Sequence, residues 1–105
     1  MADITRLPTA PGAGLTSGHR FLMYAIQDLC LDITLRCPEL FATYEYHGIT
    51  HELMVVVTAR TPSQGCLRWS TELYLPPGKL APRDSLQALG NIITKLEQYL
   101  PGGAA

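Results

Sequence analysis

The sequence is poor in the features that would assign it to several large classes of protein. Charged residues make up only 16% of the chain, and the net charge is −1. There is no basic run of the kind that contacts nucleic-acid phosphates, so nucleic acid is a disfavoured partner. No apolar run approaches the roughly 20 residues that span a membrane, so we expect no membrane partner. A sparsely charged surface instead leaves more area for association with other proteins.

Cysteine is also scarce, and its pattern is uninformative for chemistry. Cys30, Cys37 and Cys66 have neither the spacing of a metal site nor the even number of a disulfide framework. No basic segment followed by an apolar core marks a secretory signal, so reduced thiols in a cytoplasmic protein are the simplest account. A Gly-rich phosphate loop, a nucleophile elbow and a zinc pattern are all missing. We therefore expect no enzyme activity, no cofactor, no metal and no small-molecule ligand.

The stretch 41–75 predicts three antiparallel strands, at residues 41–47, 51–59 and 66–75. Each is rich in Val, Tyr, Thr, Trp or Phe and is bounded by turn residues. Gly48 suits a tight first hairpin because it accepts positive φ, and the second turn takes residues 61–65. Two registers remain open for the first hairpin. Tyr44 pairs with His51 if the turn is 47–48, and with Leu53 if the loop is 47–50.

Period-two alternation assigns the strand residues to the same two faces in either register. The inner face is strongly apolar and should be covered by helices, with Trp69 buried between the layers. It comprises Ala42, Tyr44, Tyr46, Leu53, Val55, Val57, Leu67, Trp69, Thr71, Leu73 and Leu75. The outer face is mixed: we expect Phe41 opposite Val56, with Met54 and Tyr74 nearby.

The first helix is predicted from Ser17 or His19 to Arg36, capped by Thr16 or Ser17 and ended by Pro38. Its predicted buried stripe is Leu22, Ile26, Leu29 and Ile33. A second apolar strip, flanked by Asp28 and Asp32, consists of Tyr24, Leu31 and Leu35.

The second helix is predicted to begin near Pro82, with a seam at Leu86, Leu89, Ile93, Leu96 and Leu100. Gly90 interrupts the seam, which we interpret as close packing against another backbone. The resulting fold is an α+β two-layer sandwich in the order α-β-β-β-α, with two helices on one face of a three-stranded meander. One domain covers residues 17–100, between a flexible leader (1–16) and a disordered tail (101–105).

This order of elements over residues 17–100 is similar to that of the double-stranded-RNA-binding domain. In those domains a lysine-rich start of the last helix contacts phosphates across the grooves. Here segment 81–86 contains only Arg83 as a basic residue, with Lys79 before it. The resemblance therefore covers topology and not the binding motif. It motivates an alternative function, nucleic-acid binding at a limited site around Arg60, Arg68, Lys79 and Arg83.

His47 and His51 flank the first hairpin turn, with Glu45 and Glu52 beside them. Imidazole and carboxylate could bind a metal or transfer protons, and a small enzyme or metal protein is the third alternative. The spacing matches no defined motif, so we interpret these histidines as exposed turn residues. Asp28 and Asp32 are interpreted as a solvated pair, and Cys66 as a thiol without a neighbouring base.

The leading hypothesis is a small non-enzymatic protein–protein interaction module, such as a bacterial or phage-encoded regulator, inhibitor or adaptor, acting as a homodimer. Edge strands 41–47 and 66–75 offer unpaired backbone groups. We favour the outer sheet face over the helix strip as the interface. The candidate residues are Phe41, Met54, Val56, Arg68 and Tyr74 on the sheet, and Tyr24, Leu31 and Leu35 on the helix.

Overall fold

The computed structural model of the protein describes residues 14–61 and 66–101. In chain order the elements are helix α1 (Ser17–Arg36), strands β1 (Leu40–His47), β2 (Glu52–Ala59) and β3 (Leu67–Tyr74), and helix α2 (Ser85–Glu97). The strands form one antiparallel sheet in the order β1-β2-β3, so β1 and β3 are its edges. The predicted α+β fold is confirmed. Most of the predicted leader, the tail and the second hairpin loop lie outside the described residues.

The core lies between the sheet and both helices. Leu53, Val55 and Val57 of β2 are fully buried, and they pack in one cluster with Ile26 of α1 and Leu89 of α2. The predicted faces are confirmed here, because Ala42, Tyr44 and Tyr46 lie opposite Val57, Val55 and Leu53. Leu15, just before α1, also packs against this cluster. In the described ranges we find no helix with the length and hydropathy needed to span a bilayer.

Both registers considered for the first hairpin are wrong. The ladder begins with His47 opposite Glu52, and Tyr44 lies opposite Val55. The left-handed backbone conformation falls on His51, whose φ is 57°, and not on Gly48. The His51 N–H donates to the carbonyl of His47 at 2.8 Å, which closes a four-residue turn. Histidine visits this conformation more readily than most non-glycine residues, so a longer turn forms without glycine at the critical position.

A register shift in β3 overturns the expected placement of Leu67. Val57 lies opposite Trp69 but Thr58 lies opposite Leu67, so the ladder passes over Arg68. An extra residue in one strand changes which face the following side chains occupy. Leu67 is consequently 61% exposed instead of buried on the inner face. Trp69 packs against the core but is only half-buried, which corrects the expected full burial.

In α1 the N-cap is Thr16 and the end is at Arg36, as predicted. The fully buried set is shifted, however: Met23 and Cys30 are buried, whereas Leu22 and Leu29 are half-buried. The reason is that α1 contacts α2 as well as β1, which turns the buried arc toward the second helix.

Helix α2 begins at Ser85 and not near Pro82. Its buried positions include Leu89, Ile92 and Leu96, whereas Leu86 is exposed and Ile93 only half-buried. The interpretation of Gly90 as a close-packing site is wrong, because a Cβ added there would meet no atom within 4 Å. The gap in the seam therefore has no packing function among the described residues.

Candidate interaction surface on helix α1

The outer sheet face holds five of the eight predicted partner-binding residues, but its apolar side chains are dispersed. Met54 lies between Glu45 and Glu72 in the cross-strand row, and Val56 lies between Thr43 and Ser70. Tyr74 lies opposite Glu52. Each apolar residue thus has polar neighbours across the strands, and Met54, Val56 and Tyr74 are only partly accessible.

The remaining two residues of the sheet set lie toward the other end of this face. Phe41 lies opposite Thr58 and not Val56 as expected, because the hairpin register differs. The Arg60 guanidinium lies 5.7 Å from the centre of the Phe41 ring, a cation–π arrangement that shields it. Arg68 is exposed at the register shift. The sheet therefore brings these candidates onto one face without joining them into one apolar patch.

Helix α1 carries four exposed large apolar side chains, more than any other helix or strand of the described structure. We define the α1 strip as Phe21, Tyr24, Asp28, Leu31 and Leu35, which recur at alternating spacings of three and four. The exposed fractions of its apolar members are 71% for Phe21, 60% for Tyr24, 54% for Leu31 and 72% for Leu35. Side chains at these spacings lie on one side of a helix. The predicted set Tyr24, Leu31 and Leu35 is thus brought together, and Phe21 extends it.

A groove of about 480 Å³ runs between the strip and β1. It is lined by Tyr24, Gln27, Asp28, Cys30, Leu31, Thr34 and Ala42. Burial raises the pKa of the Cys30 thiol to about 11, so it stays protonated and unreactive near neutral pH. Burial, together with the neighbouring Cys30, also raises the pKa of Tyr44. The groove therefore suits an apolar side chain better than a covalent or acid–base reaction.

The edge of β1 next to this groove is partly closed by α1. The Thr34 hydroxyl accepts a hydrogen bond from the Ala42 N–H at 3.0 Å and donates to the Cys30 carbonyl at 2.9 Å. The Leu40 N–H donates to the Cys37 carbonyl at 3.1 Å. An incoming strand would compete with these bonds, so the first half of this edge is a poor template for strand addition.

The two hairpin histidines take separate hydrogen-bond partners. His47 Nε2 lies 3.2 Å from Glu45 Oε1, and His51 Nδ1 lies 2.9 Å from Tyr46 Oη. Over residues 14–61 and 66–101 there is no group of three or more His, Cys, Asp or Glu side chains placed to hold a metal ion. Their contacts make them surface hydrogen-bonding groups of the turn.

A buried serine–histidine pair is present that no sequence pattern predicted. His19 and Ser85 are only 4% and 3% exposed, and His19 Nε2 lies 2.8 Å from Ser85 Oγ. The Thr16 N–H donates to His19 Nδ1 at 3.1 Å, so the neutral imidazole carries its proton on Nε2. Nε2 then donates to the serine hydroxyl, whereas a general base would have to accept from it. This pair joins the first turns of α1 and α2 and is not a nucleophile with its base.

The basic residues of the alternative nucleic-acid site do not all remain available. Arg60 donates from Nη2 to the Thr34 carbonyl at 2.8 Å while covering Phe41. Arg68, Lys79 and Arg83 are exposed. The geometry of the described residues therefore gives no reason to prefer a phosphate-binding site at these basic residues over a protein-binding site on helix α1.

Comparisons with protein-family models, curated proteins and solved structures found no match to this chain. The site is therefore assigned from its own residues alone. The heptad spacing of the α1 strip is visible in the sequence, and it could have identified all five of its residues. The pairing of His19 with Ser85 carried no such signal, since the two residues are 66 positions apart.

Proposed function

We propose that the protein is a small, non-enzymatic protein-binding module of the cytoplasm, a regulator, inhibitor or adaptor, and that its partner docks on the α1 strip. The observation that carries the proposal is the set of four large apolar side chains on the strip, each more than half exposed. Large apolar patches on a small domain mark interaction sites more often than isolated apolar residues do. Free thiols at all three cysteines support the cytoplasmic location.

The strip is separate from the residues that stabilise the domain. Ile26 and Ile33 fill the core from the opposite side of the same helix and are fully buried. Changes in the strip should therefore alter binding without unfolding the domain. This separation makes the proposal testable with folded variants.

The test uses the immobilised full chain and an extract of the source organism, with captured proteins quantified by mass spectrometry. Leu31→Glu with Leu35→Glu places charges in the strip. Met54→Lys with Val56→Glu is the matched control on the outer sheet face, and circular dichroism checks that both variants fold. We expect capture by the unaltered chain and the control, and loss of capture by the strip variant.

The same experiment separates the alternatives. Loss of capture with the sheet variant alone would place the interface on the outer sheet face, as the sequence first favoured. A homodimer, the other expectation from the sequence, would appear as a doubled mass in sedimentation equilibrium. A monomer that captures nothing would contradict the proposed function.

A further inference from the structure

The charge at the centre of the α1 strip restricts what can cover it. Asp28 is exposed and is the middle member, with two apolar residues on each side along the helix. Asp32 is one turn further and half-buried beside the strip. In the described part of the chain, the one salt bridge joins His47 and Glu45, so neither aspartate has a cationic partner there. The surface thus has an acidic middle between two apolar pairs, and the Arg20 guanidinium lies beside the first pair, where it donates to Tyr24 Oη at 3.2 Å.

This pattern disfavours a second copy of the chain as the occupant. Two α1 helices that cover each other's strips fully, parallel or antiparallel, place Asp28 against Asp28. Two carboxylates in an interface that excludes water repel each other and lose their hydration. Sliding one helix by a heptad separates the carboxylates, but it brings each against Phe21 or Leu35 and leaves two of the four apolar residues of each strip uncovered. The strip is therefore a poor surface for self-association.

The geometry also favours a helix over a strand as the occupant. The strip follows the 3-4 spacing of a coiled-coil seam and runs for about 21 Å, at 1.5 Å per residue. On the β1 edge beside the strip, the Ala42 N–H already donates to the Thr34 hydroxyl, so it is not available to an added strand. A partner helix with the same spacing can pack its apolar residues between those of the strip.

We propose that the α1 strip binds an amphipathic helix of a different protein, with apolar residues at heptad spacing and a Lys or Arg facing Asp28. This proposal rests on the proposed function and names the class of partner. The central cation neutralises Asp28 in the interface, and a single charged position of this kind fixes the register of two helices. Because Asp28 is at the middle of the strip, the matching charge is at the middle of the partner helix in either orientation.

The test uses a fluorescently labelled synthetic helix of about three heptads. Leu occupies its a and d positions, except for the a or d position at the middle of the peptide, which is Lys. A second peptide differs only in having Glu at that centre. Fluorescence anisotropy with the full chain, at low peptide concentration, measures both affinities. We expect the Lys peptide to bind about tenfold more tightly than the Glu peptide, a difference that shrinks at high salt.

Charge reversal on the protein is the decisive arm. Asp28→Lys should reverse the preference, so that the Glu peptide binds more tightly. Glu72→Lys makes the same charge change on the exposed outer sheet face and should leave the preference unchanged. Leu31→Glu should abolish binding of both peptides.

Three outcomes would overturn the inference: no binding of either peptide, equal binding of both, or a preference that Asp28→Lys leaves unaltered. A dimer of the unaltered chain that Leu31→Glu dissociates would also overturn it, by making a second copy the occupant. These failures are distinct from failure of the proposed function. Capture from the extract that depends on Leu31 and Leu35 would keep the protein-binding module while rejecting the basic helix.

Discussion

The buried His19 should make the stability of this domain sensitive to mild acid. Its Nδ1 accepts from the Thr16 N–H and its Nε2 donates to Ser85, so both ring nitrogens are used by the neutral form. Protonation would break the bond to Thr16 and place a charge between the N-terminal turns of two helices, where the helix dipoles disfavour cations. Burial accordingly lowers the pKa of His19 below its usual 6.5.

The sign of the effect follows from proton linkage. Because the folded-state pKa is lowered, the unfolded chain binds more protons than the folded chain between the two pKa values. The stabilisation by neutral His19 is complete above about pH 6.5 and is lost as the pH falls toward the folded-state pKa. Within that window one proton gives a slope of up to about 1.4 kcal/mol per pH unit.

His19→Gln is the informative variant. Gln at this position can retain the reciprocal cap with Thr16, because Thr-x-x-Gln is a capping box, but it does not titrate. Urea unfolding followed by circular dichroism at several values between pH 5 and pH 7.5 should show a smaller rise in stability with pH for this variant. The control is Gln98→Ala, an exposed change that removes no titratable group and should leave the slope unchanged. Equal slopes for the unaltered chain and His19→Gln, or a domain that is more stable in acid, would refute the argument.

Three further substitutions test the packing, each measured by urea or thermal unfolding. Gly90→Ala should stabilise α2 by about 0.5–1 kcal/mol, since the added methyl group enters open space, and destabilisation would contradict this. Leu67→Ala should cost under about 0.5 kcal/mol and Leu73→Ala about 2–5 kcal/mol, so similar costs would place Leu67 in the core. Thr34→Val should cost about 1 kcal/mol by removing the acceptor of the Ala42 N–H, and an unchanged stability would contradict this.

The sequence was sufficient for the element order, because periodicity reports which side of each element is buried. Alternation over β2 was enough to place Leu53, Val55 and Val57 inward, and Pro38 marked the end of α1 closely. These features depend on local spacing and on one steric rule. Neither feature depends on how the strands are paired. The predicted fold class was therefore correct even though both registers predicted for the first hairpin were wrong.

Details that depend on a single residue's backbone were not predictable in the same way. The register of the first hairpin is set by positive φ at His51. The expected turn was placed at Gly48 instead, because glycine is the residue that most readily adopts positive φ. The exposure of Leu67 follows from one register shift, which no alternation pattern reveals. In both places the residue preferences visible in the sequence, glycine for the turn and alternation for the strand, differ from the backbone conformation that the structure adopts.

The candidate site was only partly predictable, for a different reason. The apolar character of Tyr24, Leu31 and Leu35 is visible in the sequence, but the fraction of each side chain that the other elements leave uncovered is not. Only the packing of α1 against both β1 and α2 decides this. On the outer sheet face, Met54 lies between Glu45 and Glu72, so cross-strand neighbours interrupt the apolar area that alternation alone predicts.

Helix α1 therefore has two apolar sides with different physical roles. The side with Ile26 and Ile33 is fully buried and contributes to the stability of the isolated domain. The α1 strip remains in water, so its transfer free energy, about 25 cal/mol per Å² of apolar surface, is realised only when a partner covers it. A carboxylate at Asp28 adds little cost while the strip is hydrated, but it becomes costly in an interface that offers no cation. In the proposed complex, Asp28 would therefore act at the binding step and not at the folding step, by weakening self-association and selecting a basic partner helix.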